Sequence, residues 1–373
     1  MSGENFNKPA NHLRILIAPL DWGIGHTTRC IPIIYALIKA GSTVLLAGDT
    51  NSEIILKKEF PSLLFLPLKG YEVHYSRHKR WFLTKLLVQI PAIKRTIHYE
   101  QQWLLKVVKE QHIDRIISDN RFGLYHQSIP CIYITHQLFI ETGCTWLNNL
   151  AQKIHYSYIN RFTECWIPDA EGQVNLGGSL SHPRKLPAVP VRYLGVLSRF
   201  SKTDLVRTNP LLVVLSGPEP QRSIFETIIL AQLKRFSGQA ILVRGLPAET
   251  TEMTVGSHVS IRNYVPAKGL NQLIQESQFV LSRAGYSTIM DLAVLQQKAI
   301  LVPTPGQKEQ EYLADSLKDS QVFYSCPQKK FNLNIALAEA ADFYKGDNLL
   351  VQRFDEKFIK HWLGNTPSTN YQQ

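Results

Sequence analysis

Short aliphatic runs alternate with helical patterns along the whole chain, and that alternation restricts the fold more than any other feature. Leu13–Pro19, Thr43–Ala47, Ser62–Leu66, Ile113–Asp119, Cys131–Thr135 and Cys165–Pro168 each read as a buried strand, with Cys165–Pro168 the last inner strand of the first half. The first helical pattern runs from about Thr28 to Ala40 and is closed by Gly41. Strands separated by helices indicate parallel α/β layering. The series restarts at Leu211–Gly217 and continues through Ala240–Val243, Val259–Ile261, Phe279–Ser282, Ala299–Pro303 and Val322–Tyr324. A chain of 373 residues exceeds one ordinary core. The expectation is two doubly wound, Rossmann-like domains facing across a cleft. Residues 12–197 form the first, 198–210 a polar and basic linker, 211–345 the second, and 346–364 a C-terminal helix that crosses back to the first domain. Its amphipathic pattern spans Asn348–Leu363.

Composition narrows the setting. The five cysteines, Cys30, Cys131, Cys144, Cys165 and Cys326, are scattered without metal-ligand spacing and read as reduced core residues of a cytoplasmic protein. The polar N-terminus has no apolar run resembling a signal peptide, and no segment reaches the ~20 apolar residues that span a bilayer. The formal net charge is +11, which favours phosphate-bearing or anionic-surface partners and says nothing about fold. That charge is uneven. Val73–Tyr99 holds Arg77, Lys79, Arg80, Lys85, Lys94 and Arg95 without an acidic residue, interleaved with Trp81, Phe82 and aliphatics. Such a stretch suits an anionic membrane surface, with Lys79, Arg80, Trp81, Phe82 and Lys85 as contacts. It suits equally an ordinary helix pair with one core face, divided at Pro91. No groove-reading motif or aromatic platform points to nucleic acid.

The densest chemical signal lies in the second half, at Leu281-Ser282-Arg283-Ala284-Gly285-Tyr286-Ser287-Thr288-Ile289-Met290-Asp291. A strand ending near Ser282 and a helix beginning near Ser287 put exposed amides, hydroxyls and Arg283 together, which suits a phosphate. Asp291 follows one helical turn on, at a depth to meet ribose hydroxyls. Strand–glycine–helix junctions occur in every doubly wound protein and most bind nothing. A second polar loop, Thr304–Gln310, ends the next strand, and adjacent loops at the carboxyl ends of parallel strands share one crevice.

The first half carries Asp21-Trp22-Gly23-Ile24-Gly25-His26-Thr27-Thr28-Arg29 after its first strand. Gly23 and Gly25 permit a tight turn and close ligand approach. His26, at the mouth of the first helix, is a candidate general base kept neutral by the positive helix end. Asp119, in the polar cluster Asp119-Asn120-Arg121 at the end of another strand, is a second candidate base.

This combination resembles the two-domain GT-B glycosyltransferases, in particular the family of the enzyme that adds N-acetylglucosamine to the lipid-linked peptidoglycan precursor. The similar segments are Gly23-Ile24-Gly25-His26; Thr135-His136-Gln137 with Gly143 and Asn148-Asn149-Leu150; and Ser282 to Thr288 with Asp291 and Pro303–Gln310. The resemblance implies an inverting hexosyl transfer, with no metal required. The donor is a nucleotide sugar, with UDP and N-acetylglucosamine as best guesses, and the acceptor a lipid-linked or cell-envelope glycan. It implies that Gly285, Ser287, Thr288 and Arg283 hold the donor diphosphate and Asp291 the ribose. Gln310 and Glu311 would hold the sugar, Val265 would lie by the base, and His26 would deprotonate the acceptor. Gly23, Gly25, Asn120, His136 and Gln137 fall on the acceptor side. The enzyme would work in the cytoplasm, peripheral at the inner face of the plasma membrane.

The chain departs from the family pattern at Ser216-Gly217-Pro218-Glu219-Pro220, where two prolines remove amides. Either Arg222 compensates beside Ser216 and Gly217, or the phosphates lie wholly on the Gly285 side. Asp21-Trp22 replaces small residues, so the acceptor region is expected to be remodelled. Gly23–Arg29 also resembles the turn of hydrolases that cleave nucleotide-linked amino sugars, which is the rival enzymatic reading. A nucleotide-sugar 2-epimerase is more distant, and a non-catalytic nucleotide-sugar-binding protein is the alternative outside enzymes.

Overall fold

The computed structural model describes residues 13–21, 23–71, 82–142, 144–246, 249–250, 255–345 and 351–364, the side chains of 82–90 excepted. Two all-parallel sheets account for every aliphatic run. The first half is built from β1 (Arg14–Pro19), α1 (Ile24–Lys39), β2 (Thr43–Gly48), α2 (Thr50–Glu59), β3 (Phe65–Pro67), α3 (Phe82–Gln111), β4 (Arg115–Asp119), β5 (Cys131–Ile134), α4 (Thr145–Ile159), β6 (Glu164–Ile167) and β7 (Val191–Tyr193). Its sheet order is β3-β2-β1-β4-β5-β6-β7. The second half contains β8 (Asn209–Val214), α5 (Gln221–Leu233), β9 (Ala240–Val243), β10 (Val259–Arg262), α6 (Ala267–Glu276), β11 (Ser277–Ser282), α7 (Tyr286–Leu295), β12 (Ala299–Leu301), α8 (Lys308–Asp319), β13 (Tyr324–Ser325) and α9 (Leu333–Phe343), in the order β10-β9-β8-β11-β12-β13. α10 (Lys357–Gly364) closes the chain.

Strand order reverses beside β1 in the first sheet and beside β8 in the second. Parallel sheets open a crevice at the carboxyl ends of the strands where this happens. β1 pairs with β4 so that Pro19 lies opposite Asp119, and β8 pairs with β11 so that Val214 lies opposite Ser282. The loops after these strands are the ones that hold the candidate motifs.

Three expectations change. α1 begins at Ile24, not near Thr28, so Gly25 and His26 form its first turn. Gly23 is its N-cap at φ 92°, a left-handed conformation that glycine adopts without strain. α3 runs unbroken through Pro91 instead of dividing there. Its buried Ile97, Glu100, Leu104 and Val107, at spacings of three and four, hold the remainder of the helix to the core. Cys165–Pro168 does supply the last inner strand of the first sheet, since Val191–Tyr193 adds an edge strand against β6. The last helix is also shorter than its pattern: Val351–Phe354 is extended, with a parallel bridge between Val196 and Arg353.

α10 packs on the first domain. Arg115 donates to the Trp362 and Leu363 carbonyls at 2.8 and 3.3 Å and lies over the Trp362 ring. It thereby satisfies carbonyls that a helix end leaves unpaired. Trp362 meets Trp166 edge-on at 5.0 Å. One apolar cluster runs from Ile33 and Ile34 of α1 through Met290 of α7 to Ile359 and Trp362 of α10, so both halves share a core. No helix among the described residues is long and apolar enough to cross a membrane.

Candidate active site

Because Pro19 and Asp119 are register partners, the turn after β1 and the end of β4 deliver their side chains to one place. His26 Nδ1 lies 2.8 Å from Asp119 Oδ1. Arg29, one turn further along α1, donates from Nε to Asp119 Oδ2 at 2.5 Å and from a terminal nitrogen to Oδ1. The Cys30 thiol reaches the same Oδ2 at 3.5 Å. Asp119 is fully buried. Burial alone would raise its carboxyl, but the charge of Arg29, with His26, holds it well below the usual carboxylate range. His26 Nδ1 also lies 2.9 Å from a terminal nitrogen of Arg29, so it faces an acceptor, Asp119, and a donor, Arg29; a proton on Nδ1 given to Asp119 leaves the lone pair on Nε2. Burial and the Arg29 charge lower the His26 pKa, against the opposing pull of Asp119, so the ring is neutral near pH 7. Asp119 therefore holds the orientation of the His26 ring. As a second base it is corrected, since its oxygens are sealed from solvent and occupied by His26, Arg29 and Cys30.

The polar chain continues into the second domain. The other terminal nitrogen of Arg29 lies 2.9 Å from His136 Nδ1, and His136 Nε2 lies 2.7 Å from Glu309 Oε1 in the first turn of α8. The His136 ring stacks on Tyr286 at 4.2 Å between centroids and 8° between planes. The Tyr286 hydroxyl donates to the Pro168 carbonyl at 3.0 Å. The two glycine turns touch as well: a Cβ on Gly25 would stand 2.6 Å from Ser287 Oγ. Gly25, the residue before His26, thus sits against the first turn of α7, and the free backbone amides of a helix N-terminus suit an anion. Gly285 is the N-cap of that helix, and Ser287 and Thr288 in its first turn are half-buried.

Several expected donor contacts are engaged elsewhere. Arg283 is buried beneath the loop, over the Phe225 ring at 4.0 Å, and donates to the carbonyls of Gln221, Val302 and Pro303. Burial lowers its pKa to about 10. It ties β11 to α5 and β12 and does not present charge to a diphosphate. Arg222 is likewise withdrawn, pairing with Glu219 at 2.6 Å and Glu226 at 3.0 Å. Ser216 and Gly217 remain at the loop after β8, with open space beside Gly217 at φ 104°. Gln310 and Glu311 accept from the Thr304 and Gly306 amides, both at 2.9 Å, and so shape the loop before α8. Val265 is buried, just before the Pro266 N-cap of α6.

On the first-domain side, Asn120 takes φ 56° and donates its amide to the Ile134 carbonyl at 3.1 Å, and the Gln137 amide donates to Thr135 Oγ1. Arg121 is a correction: it turns beneath the sheet instead of into the cleft, fully buried and paired with Glu100 at 2.9 Å. Trp22, Gly143, Arg77, Lys79, Arg80 and Trp81 lie outside the described residues, as do the side chains of Phe82 and Lys85. Among the described residues, no group of three or more His, Cys, Asp or Glu side chains is arranged to hold a metal. All five cysteines are free.

Asp291 carries an unusual charge for its position. Ser198 of the interdomain segment donates to its Oδ1 at 2.5 Å, and burial raises its pKa to about 6 against the lowering effects of Arg199 and Ser198. A carboxyl whose folded-state pKa is raised binds a proton more readily when folded, so its contribution to stability falls as pH rises from about 4 through 6. Asp291→Asn is expected to raise the melting temperature above pH 7, with the gain shrinking towards pH 4. A gain independent of pH in scanning calorimetry would contradict that account.

Sequence reasoning singled out His26, Asp119 and His136 but not their connection. Arg29, Tyr286 and Glu309 appeared only as members of motifs. Nothing in their spacing announces that a first-half arginine and a second-half glutamate meet on one histidine.

Comparison with known proteins bears on the fold and on the second domain. Residues 228–342 match the glycosyltransferase family 28 C-terminal domain. The chain has the GT-B glycosyltransferase fold. It superimposes on the glycotransferase of kitacinnamycin with a TM-score of 0.63 at 12% identity, covering 95% of this chain and 92% of that one. For the spinosyn forosaminyltransferase SpnP the TM-score is 0.59 at 14% identity, covering 89% and 90%. At such identities the likeness is one of fold. Among curated proteins, the chain is 26% identical over 190 residues to the UDP-N-acetylglucosamine--N-acetylmuramyl-(pentapeptide) pyrophosphoryl-undecaprenol N-acetylglucosamine transferase of Listeria monocytogenes serotype 4b, covering 47% of this chain and 50% of that protein. It is 32% identical over 87 residues to the protein of the same name from Methylorubrum extorquens, covering 23% and 24%. The match thus spans half or less of the length of these relatives. The matched C-terminal domain contains Val265, Gly285, Ser287, Thr288, Asp291 and Gln310, whereas His26, Asp119 and His136 lie outside it.

Proposed function

We propose that this protein is an inverting glycosyltransferase. It moves a hexose, N-acetylglucosamine or a close relative, from a UDP-linked donor to a hydroxyl of a lipid-linked or cell-envelope glycan. The observation that carries the reading is the His26–Asp119 pair, with the adjacent Gly25 against the first turn of α7. His26 Nε2 takes the proton of the acceptor hydroxyl while that oxygen bonds to the anomeric carbon. The bond from that carbon to the donor diphosphate breaks, and its electron pair leaves with the diphosphate. Amides of the α7 N-terminus and the hydroxyls of Ser287 and Thr288 stabilise that charge, without a metal ion in this scheme. One displacement inverts the anomeric centre. Asp291 receives the ribose by exchanging its Ser198 contact for ribose hydroxyls.

A lipid-linked acceptor would bring the protein to the cytoplasmic leaflet. The basic stretch from Arg77 to Lys85 and the net charge of +11 suit that surface. The test is mass-spectrometric product analysis with a panel of nucleotide sugars, with and without lipid extract. A glycosylated lipid formed together with free nucleotide is the expected result. Free sugar or sugar phosphate released without extract would replace transfer by hydrolysis.

A further inference from the structure

We infer that Glu309 is a positioning residue: by crossing to His136 it fixes the tautomers of His136 and of His26, so that the base is set only when the two domains meet. The inference rests on the reading of His26 as base, although its decisive measurement does not.

The argument follows the hydrogens. Glu309 Oε1, 2.7 Å from His136 Nε2, can only accept, so Nε2 carries the proton. His136 Nδ1 is then an acceptor, which suits the Arg29 nitrogen 2.9 Å away, since guanidinium only donates. With one arm held by His136, Arg29 keeps its Nε and other terminal nitrogen on Asp119. Asp119 in turn takes the proton of His26 Nδ1. The Glu309–His136 and His136–Arg29 links each permit one proton placement; at His26 Nδ1, which an Arg29 terminal nitrogen also approaches at 2.9 Å, the contact to the Asp119 carboxylate takes the proton. The charged or titratable groups facing His136 are Arg29 and Glu309, with Tyr286 stacked on its ring and His26 one step beyond.

Without an acceptor at position 309, His136 is free to carry its proton on Nδ1. That tautomer aims N–H at N–H of Arg29 and pushes the guanidinium off its seat. The second domain supplies this acceptor, together with Tyr286 stacked on the His136 ring. Tyr286 on Pro168, and the Ser179 amide donating to the Tyr312 hydroxyl at 2.8 Å, hold the same interface from either side. Domain contact and base alignment are therefore one event, a direct route by which closure completes a site.

The experiment labels histidine ring nitrogens in the full chain and records proton–nitrogen correlation spectra above neutral pH. His26→Gln and His136→Gln variants assign the signals. The wild type is expected to show His136 protonated on Nε2 and His26 on Nδ1. Glu309→Ala should return His136 to a tautomer mixture and loosen the His26 signature, with kcat lowered on the order of tenfold or more and donor KM little changed. Glu309→Gln keeps an acceptor oxygen and should restore both signatures. Glu309→Met fills the same volume and substitutes for the alanine variant if that one fails to fold. Unchanged tautomers in the alanine and methionine variants would overturn the inference, even with turnover lost, because Glu309 would then act on substrate directly. The spectra stand whatever the product assay shows about transfer, so the two readings fail separately.

Discussion

Replacing His26 with alanine is expected to lower kcat by on the order of 10²–10⁴-fold, the usual contribution of a positioned general base, and to leave donor affinity close to wild type. The separation follows from the fold. Donor contacts are expected on α7 and the loops around it, whereas His26 belongs to α1 of the other domain. Isothermal titration with UDP and turnover with the full donor measure the two halves of the prediction. Wild-type turnover in the alanine variant would remove His26 as the base. The pH dependence carries a second check. Transfer needs the neutral ring, so kcat/KM should fall on the acid side as His26 is protonated. Burial and Arg29 lower its pKa below the ordinary 6.5, so the rate should be flat through neutrality and decline only at lower pH.

Asp119→Asn should be nearly as damaging, for a different reason. Asparagine offers one acceptor oxygen where the carboxylate offers two, and its amide hydrogens can donate to His26 Nδ1. That reverses the ring and puts the proton on Nε2, where the base is needed. The expected loss in kcat is again on the order of 10²–10⁴-fold. The two variants differ in stability. Asp119→Asn leaves the buried Arg29 guanidinium without its counter-charge, a cost of about 3–5 kcal/mol in such sites. His26→Ala leaves that pair intact. Chemical denaturation distinguishes them, and equal stability would mean that Arg29 finds another partner. Removing Asp119 also removes the influence that raises the His26 pKa, so the acid limb of any residual activity should move to lower pH.

The contrast between Arg283 and Arg29 shows what a motif can and cannot say. Both follow or precede a glycine turn, and both are cations next to a helix start. Arg283 had the better claim to a phosphate by position. Its side chain nevertheless lies inward, where it donates to the carbonyls of Gln221, Val302 and Pro303 and lies over the Phe225 ring. Arg29, unremarkable in sequence, becomes the hub of the site because the β1–β4 register brings Asp119 under it. Arg222 followed the same course as Arg283, taken up by two glutamates of its own loop and helix. Which direction a long side chain takes depends on the nearest unpaired partner, and partners distant in sequence are visible only after folding.

Local order was legible in the chain itself. Strand positions follow from aliphatic runs, the two domains from the restart at Leu211, and the glycine turns at the starts of α1 and α7 from Gly23, Gly25 and Gly285. These depend on periodicity and backbone freedom, which are properties of neighbours along the chain. The tertiary structure decided that Asp119 is sealed from solvent between His26 and Arg29, and which arginines stay in the site. It also joined His136 to Glu309 across residues 173 apart. Those outcomes depend on burial, charge pairing and register between segments remote in sequence, and such quantities exist only when the two sheets have brought their carboxyl ends together.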